Sequence, residues 1–229
     1  RSELRELSLY NTVLGSMQEG VVRLNELHER TGFGRAKISV YMKNLRQLGV
    51  VDKCKTIDLK CQDREKKGMY EMTDALVHFW SHFILPNQTA RSLLTPEHFY
   101  DQMVKPYLDA YTEVYFERMC VQYLGLMEEY QKDTPSKGRE GAWYGEKGTI
   151  PMVMEDREGG VLLMYAKWSA EPFTRKDLER HLRYLVSCDI KADQYYIFAR
   201  SGFDAGLRQK AQRVRNMHLV DFSGMRFTK

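Results

Sequence analysis

Three stretches of helical period, each cut off by glycine, fill the first fifty residues and leave little choice of local fold. Leu7, Tyr10, Leu14 and Met17 recur at helical spacing, and Gly20 follows. Leu24, Leu27 and Thr31 predict a second, short helix ended by Gly32, and Gly32-Phe33-Gly34 is a tight turn. A third helix is predicted from about Arg35 to Leu48, with Gly49 at its C′ position. Ile38, Tyr41, Leu45 and Leu48 share one face of it, with Met42 at the edge. At roughly 100° per residue, Ala36, Ser39, Val40, Lys43 and Gln47 face the other way, flanked by Asn44 and Arg46. Helix, short helix, turn, helix is a helix-turn-helix arrangement, and its third helix offers a polar, basic face suited to the major groove. The candidates for DNA contact are Arg35, Lys37, Ser39, Lys43, Asn44, Arg46 and Gln47.

The charge supports that choice. The chain of 229 residues has a net charge of +4, but from Arg30 to Val51 there are five basic residues and no acid. A basic stretch of this kind is where a polyanion binds. Val50-Val51 begins an extended segment, residues 52–67 are densely charged, and Gly68 to Met72 reads as a returning strand. Two strands around a basic loop make a wing, which adds Lys66 and Lys67 to the candidates. Hydrophobic residues at 43% and charged residues at 29% exclude a disordered or fibrous chain. No apolar run is long enough to span a bilayer, so no membrane partner is expected. Four cysteines are too few for a disulfide scaffold, and a reduced, cytoplasmic protein is the expectation. Cys54 and Cys61 lack the further ligands of a zinc site and read as ordinary thiols. The chain starts at Arg1 without a Met or a signal peptide, and is expected to be a fragment of a longer protein.

The run from Tyr70 to Asn87 is more specific. Its Asp74-x-x-x-x-Phe79-Trp80-x-x-Phe83-x-x-Pro86-Asn87 spacing resembles the C-terminal half of the archaeal-type P-loop ATPases of archaea and bacteria. The resemblance spans essentially the whole chain. It implies an α+β architecture: an N-terminal winged helix-turn-helix over residues 1–90, including the Phe-Trp helix, a helical connector over 91–110, and an α/β domain like PD-(D/E)xK restriction endonucleases over 111–229. Phe79, Trp80 and Phe83 are then packing residues rather than chemistry. The family's nucleotide-binding domain would lie upstream. No Gly-x-x-x-x-Gly-Lys-Ser/Thr loop occurs here, so ATP and Mg²⁺ are expected only in that upstream domain and no cofactor in this chain.

The second half is compatible with that fold. Tyr111 to Tyr130 reads as a helix and Lys132–Gly141 as a polar loop. Thr149–Met154 and Val161–Lys167 read as strands joined by the turn 155–160. A helix over Thr174–Val186 has Thr174 as N-cap and Asp177 three residues on. Tyr195–Ala199 is a buried strand, Ala205–Met217 a basic helix and Leu219–Phe222 a closing strand. The family pattern implied by the resemblance has Glu-Ile-Asp on one strand and Glu-x-Lys-Trp on the next. This sequence has Thr149-Ile150-Pro151 and Tyr165-Ala166-Lys167-Trp168. Lys167 and Trp168 match, while Pro151 and Tyr165 stand where the pattern has acids. Glu117 matches a helix Glu that some members carry. One carboxylate and one lysine are a poor site for a hard divalent cation. Glu117 and Lys167 are therefore read as degenerate remnants with no catalytic residue and no metal. Glu117 is expected in an ion pair, with Lys167 as the suggested partner; Lys167 either contacts phosphate or packs its stem on Trp168. His78 and His82 lack a zincin glutamate and read as solvent-facing or inter-domain.

Three functions follow. The first is a DNA-binding C-terminal region of a P-loop ATPase, with an inactive nuclease-like domain. A second basic surface there is formed by Arg208, Lys210, Arg213 and Arg215, and the partners are double-stranded DNA and the upstream ATPase domain. The second is a regulatory module that clamps the ATPase domain, and the third a Mg²⁺-dependent nuclease with a rearranged site. The basic third helix favours the first, the missing acids weigh against the third, and an oligomer is left open.

Overall fold

The computed structural model describes residues 7–18, 20–57, 68–130, 137–145, 148–156 and 158–225. It is a mixed α+β chain in two units, the first comprising residues 1–54 and 66–106, the second 55–65 and 107–229.

In the first unit α1 (Leu7–Met17), α2 (Leu24–Thr31) and α3 (Arg35–Gln47) follow the three periodic stretches. Their apolar faces meet: Val13 and Met17 of α1, Leu27 of α2, and Ile38, Met42 and Leu45 of α3 are buried in one core. β1 (Val22–Arg23), β2 (Val51–Lys53) and β3 (Met69–Met72) form an antiparallel sheet in the order β1-β3-β2. β1 is two residues long, too short for any alternation to announce it. Leu48 departs from its expected place on the buried face and is 46% exposed. Gly49, at φ 71°, turns the chain away there, so Val51 is the residue that enters the core. The expectation of an unbroken unit over 1–90 also fails. After β2 the chain joins the second unit, where Thr56 bridges Ala142 and Ile57 is buried. Lys66, Lys67 and Cys61 lie outside the described residues.

The aromatic segment is less uniform than its pattern. α4 (Ala75–Phe79) is capped by the Asp74 carboxylate, which accepts from the Val77 amide at 2.8 Å, and it passes into a π-helical turn at Trp80–Ile84. Phe83 is buried, whereas Phe79 and Trp80 are half-buried. His78 is buried rather than solvent-facing, at 8% exposure, beside buried Ser81, whose hydroxyl donates to the His78 carbonyl at 3.0 Å. Residues 91–110 are a run of short helices, as expected of a helical connector, interrupted at Leu94 and Thr95 just before Pro96. α5 (Gln88–Leu93) leads to α6 (Pro96–Phe99), and Pro96 opens α6 where its missing N–H is not needed. Pro106 sits in a 3₁₀ turn at Lys105–Tyr107.

The second unit is built on five strands. These are β4 (Lys137–Gly145), β5 (Gly148–Asp156), β6 (Val161–Lys167), β7 (Gln194–Ala199) and β8 (Met217–Asp221), in the order β4-β5-β6-β7-β8. β4-β5 and β5-β6 pair antiparallel, β6-β7 and β7-β8 parallel. α7 (Leu108–Tyr130) covers one face with Phe116, Cys120, Tyr123 and Leu124 against Leu162, Met164, Tyr196 and Phe198. α8 (Arg175–Ser187) and α9 (Ala205–Arg213) cover the other, with Leu178, Leu185 and Leu207 against Val153, Leu163, Tyr165 and Ile197. Successive residues of β6 serve opposite faces, and each fully buried Leu or Phe contributes roughly 1.5–3 kcal/mol.

Two sequence expectations are corrected here. The polar loop over Lys132–Gly141 is in part strand β4, whose glycines and charges hide the strand period. Gly141 is needed, because a Cβ there would stand 2.6 Å from the Lys55 carbonyl oxygen. The helix expected over Ala205–Met217 stops at Arg213; Val214 is extended and Met217 already belongs to β8. One carboxylate anchors both outer helices: Asp204 accepts from the Leu207 amide of α9 at 2.7 Å and from the Arg175 amide of α8 at 3.0 Å. Asp204→Ala removes the α9 cap and the hydrogen bond to the Arg175 amide, and is expected to cost about 2 kcal/mol, read as a lower urea midpoint with an unchanged slope.

Candidate functional site

The outward face of α3 carries Arg35, Lys37, Ser39, Lys43 and Gln47, all exposed, and the helix contains no acid. The Lys37 ammonium lies 5.0 Å from the Phe33 ring centre and 5.6 Å from that of Tyr41, which fixes it at the edge of the turn. Asn44 does not belong to this face. It is half-buried, and its amide donates to the Tyr10 hydroxyl at 2.7 Å, tying α3 to α1. Arg46 is exposed but paired with Asp52 at 2.9 Å. The Lys53 amide, and then Arg46, hold the Asp52 carboxyl below its ordinary value. Only part of the helix's charge therefore faces out unengaged.

The second candidate lies where β6, β7 and β8 end. Lys167 does not reach Glu117. Its ammonium donates to Asp177 and to the Pro172 carbonyl, both at 3.1 Å. Asp177 also accepts from the Thr174 amide and hydroxyl, each at 3.0 Å, and from Arg180 at 2.6 Å. Burial pushes the Asp177 carboxyl up, but the Thr174 and Lys167 hydrogen bonds together bring it below its usual range. Lys167 is thus part of the lock that starts α8. Its neighbour Trp168 serves the opposite sheet face, beside Phe116 and Phe222. Arg200, not Lys167, covers that indole, 4.6 Å from its centre, and pairs with Asp109 at 2.9 Å.

Glu117 sits on α7 next to Glu113. Burial, then the Glu113 charge, push its carboxyl up to about 7, partly offset by Arg118. Glu113 is raised too, chiefly by burial, although it accepts from the Trp168 amide. The sequence reading missed Glu113, for which the only signal was its spacing of four from Glu117. Tyr165 stands where the nuclease pattern has a glutamate. It is 6% exposed and stacks on His181 with ring centres 4.2 Å apart, so it is core. Pro151 offers no side-chain ligand atom. Among the described residues no group of three or more His, Cys, Asp or Glu side chains could hold a metal ion. These residues do not fit the Mg²⁺ of an active nuclease, and no step is drawn through it.

The proposed second basic surface is divided. Arg208 donates to the Phe203 carbonyl at 3.1 Å on the side of α9 toward Asp221. Lys210 and Arg213 sit on the other side of the helix, and Arg215 lies beyond its end. In the first unit an open cleft of about 540 Å³ is lined by Trp80, Ile84, Gln88, Arg91 and Ser92. No helix among the described residues is long and apolar enough to cross a membrane.

Residues 80–181 match the model of a family described as archaeal and bacterial proteins of unknown function, DUF234. An uncharacterised protein of Methanocaldococcus jannaschii is 23% identical over 168 residues, covering 72% of this chain and 37% of that protein. The chain therefore spans little more than a third of the curated relative it matches. Among solved structures, a crystal structure of a Vibrio cholerae protein aligns over 98% of this chain and 50% of its own, at 8% identity and a TM-score of 0.32. The restriction endonuclease FokI bound to DNA aligns over 95% of this chain and 43% of its own, at 10% identity and a TM-score of 0.26.

Proposed function

We propose that this chain is the DNA-binding region of a longer P-loop ATPase. Its first unit is a winged helix that binds duplex DNA through α3, and its second is a nuclease-like domain that has lost its metal site. The observation that carries the reading is the outward face of α3, which exposes Arg35, Lys37 and Lys43 on a helix without acids. The order helix, strand, helix, helix, strand, strand supports a winged helix, with β2 and β3 as the wing strands. A helix, three strands and two further helix–strand steps support a nuclease-like second unit. The core position of Tyr165 and the engagement of Lys167 by Asp177 support its loss of catalysis. The short coverage of the archaeal relative fits a parent chain with a further domain.

The experiment is incubation of the chain with labelled duplex and Mg²⁺, followed by anisotropy and by a denaturing gel. Salt-sensitive binding with intact strands is the expected result. Metal-dependent cleavage would overturn the inactive second unit, and no binding at low salt would turn the reading toward a module that contacts the ATPase domain.

A further inference from the structure

The outer helices of the second unit carry a surface that the third helix does not account for. At roughly 100° per residue, Arg175, Lys176, Glu179, Arg180 and Arg183 occupy one arc of α8, opposite buried Leu178 and Leu185. The four basic side chains on this arc are exposed; Arg175 pairs with Glu179 and Arg180 with Asp177. α9 lies alongside. Asp204 ties the two helix starts together, and a Cβ on Gly206 would stand 3.7 Å from the Arg175 stem. Lys210 and Arg213 follow Gly206 by four and seven residues, so they line the same side of α9.

The acid within the arc reports the adjacency of these side chains. Glu179 accepts from Arg175 at 2.8 Å. Its carboxyl is held below the ordinary value by that hydrogen bond first, and then by the charges of Arg175, Lys210 and Arg183. Glu179 and Asp177 leave most of this group's charge unmatched. Lys176, Arg183 and Arg213 make no ion pair among the described residues. A set of like charges held together on a rigid pair of helices is a standing electrostatic cost unless an anion covers it. A repeating polyanion fits better than a single phosphate, because the cations are strung along the seam.

We propose that the α8–α9 seam is a second binding surface for the phosphate backbone of duplex DNA, formed by Arg175, Lys176, Arg180, Arg183, Lys210 and Arg213. It deepens the DNA-binding reading, and the two are separable. The seam lies on the face of the sheet away from α7 and Glu117, and it reads no bases. Its contribution is therefore sequence-independent and salt-dependent.

The test is the salt dependence of duplex binding by the whole chain, measured by anisotropy for four proteins. Lys176→Glu with Arg183→Glu reverses two exposed seam charges. Lys43→Glu with Gln47→Glu alters α3. Lys105→Glu with Lys191→Glu makes the same charge change as the seam variant at exposed positions elsewhere. The seam variant is expected to lose about tenfold or more in affinity at low salt, with the log–log salt slope shallower by about 2. The control is expected to change little. Lys176→Gln with Arg183→Gln, a milder change, should move the slope in the same direction and guards against a folding defect. If the α3 variant loses binding while the seam variant behaves like the control, the seam proposal is overturned alone. If the seam variant loses binding and the α3 variant does not, the seam stands and α3 is overturned. If the unaltered chain binds no duplex at low salt, both fail, and the seam becomes a surface for an acidic protein.

Discussion

Lys43→Glu combined with Gln47→Glu is expected to weaken duplex binding by on the order of 100-fold at low salt, while leaving the fold intact. Both side chains are exposed on α3, and neither makes a hydrogen bond or ion pair among the described residues. Nothing internal is lost when they change, so stability should stay within about 0.5 kcal/mol of the parent. Binding is affected twice. A cation that meets phosphate is removed, and two carboxylates are placed where the backbone approaches. The neighbouring positions do not offer so clean a test, because Asn44 holds Tyr10 and Arg46 holds Asp52. Anisotropy beside a urea titration of the same sample separates the two effects. Equal affinity in the variant would remove α3 from the interface.

Glu117→Gln is expected to stabilise the chain at pH 8 and to do little at pH 5. Burial and the Glu113 charge raise the folded-state value of Glu117 from 4.5 to about 7, so the folded chain favours the protonated form. A group raised in this way supports folding fully below its unfolded value, and that support is lost as pH rises through the folded value. The window is thus from about 4.5 to about 7. Allowing for solvent at this half-buried site, the loss is on the order of 2 kcal/mol. Glutamine mimics the neutral carboxyl and removes the dependence. Urea unfolding of both proteins at pH 5 and pH 8 checks this. The gap between them should open with pH, and a constant gap would mean that the Glu117 environment is wetter than described. The effect also bears on function, since a carboxyl that is half neutral near pH 7 and crowded by Glu113 is poorly prepared to hold a hard cation.

The helices and inner strands were legible because their periods are strong. α1, α2, α3 and α8 form where their spacing places them and bury most of the residues it singles out, Leu7 and Leu48 being exposed, and Thr174 with Asp177 forms the reciprocal cap its sequence suggests. β6 and β7 read as apolar runs because both faces of the sheet are covered. What was missed is held by tertiary pairing. β4 has glycines and charges where alternation would be sought, and it exists because β5 and the Lys55–Ile57 segment flank it. The departure of residues 55–57 into the second unit has no local signal at all. The site was harder to read than the fold. Lys167 and Glu117 are named by a pattern, but a pattern cannot say that Asp177 claims the lysine or that Glu113 crowds the glutamate. The α8 half of the basic seam was also overlooked, because its arginines alternate with acids in sequence and separate from them only on the helix surface.

The most direct measurement is the affinity of the chain for a mixed-sequence duplex across a salt series, by anisotropy at fixed pH. A linear fall of log affinity with log salt, with a slope of several units, is expected from backbone contacts on α3 and the seam. A flat salt response, or no binding at the lowest salt, would contradict DNA as the ligand of these basic faces.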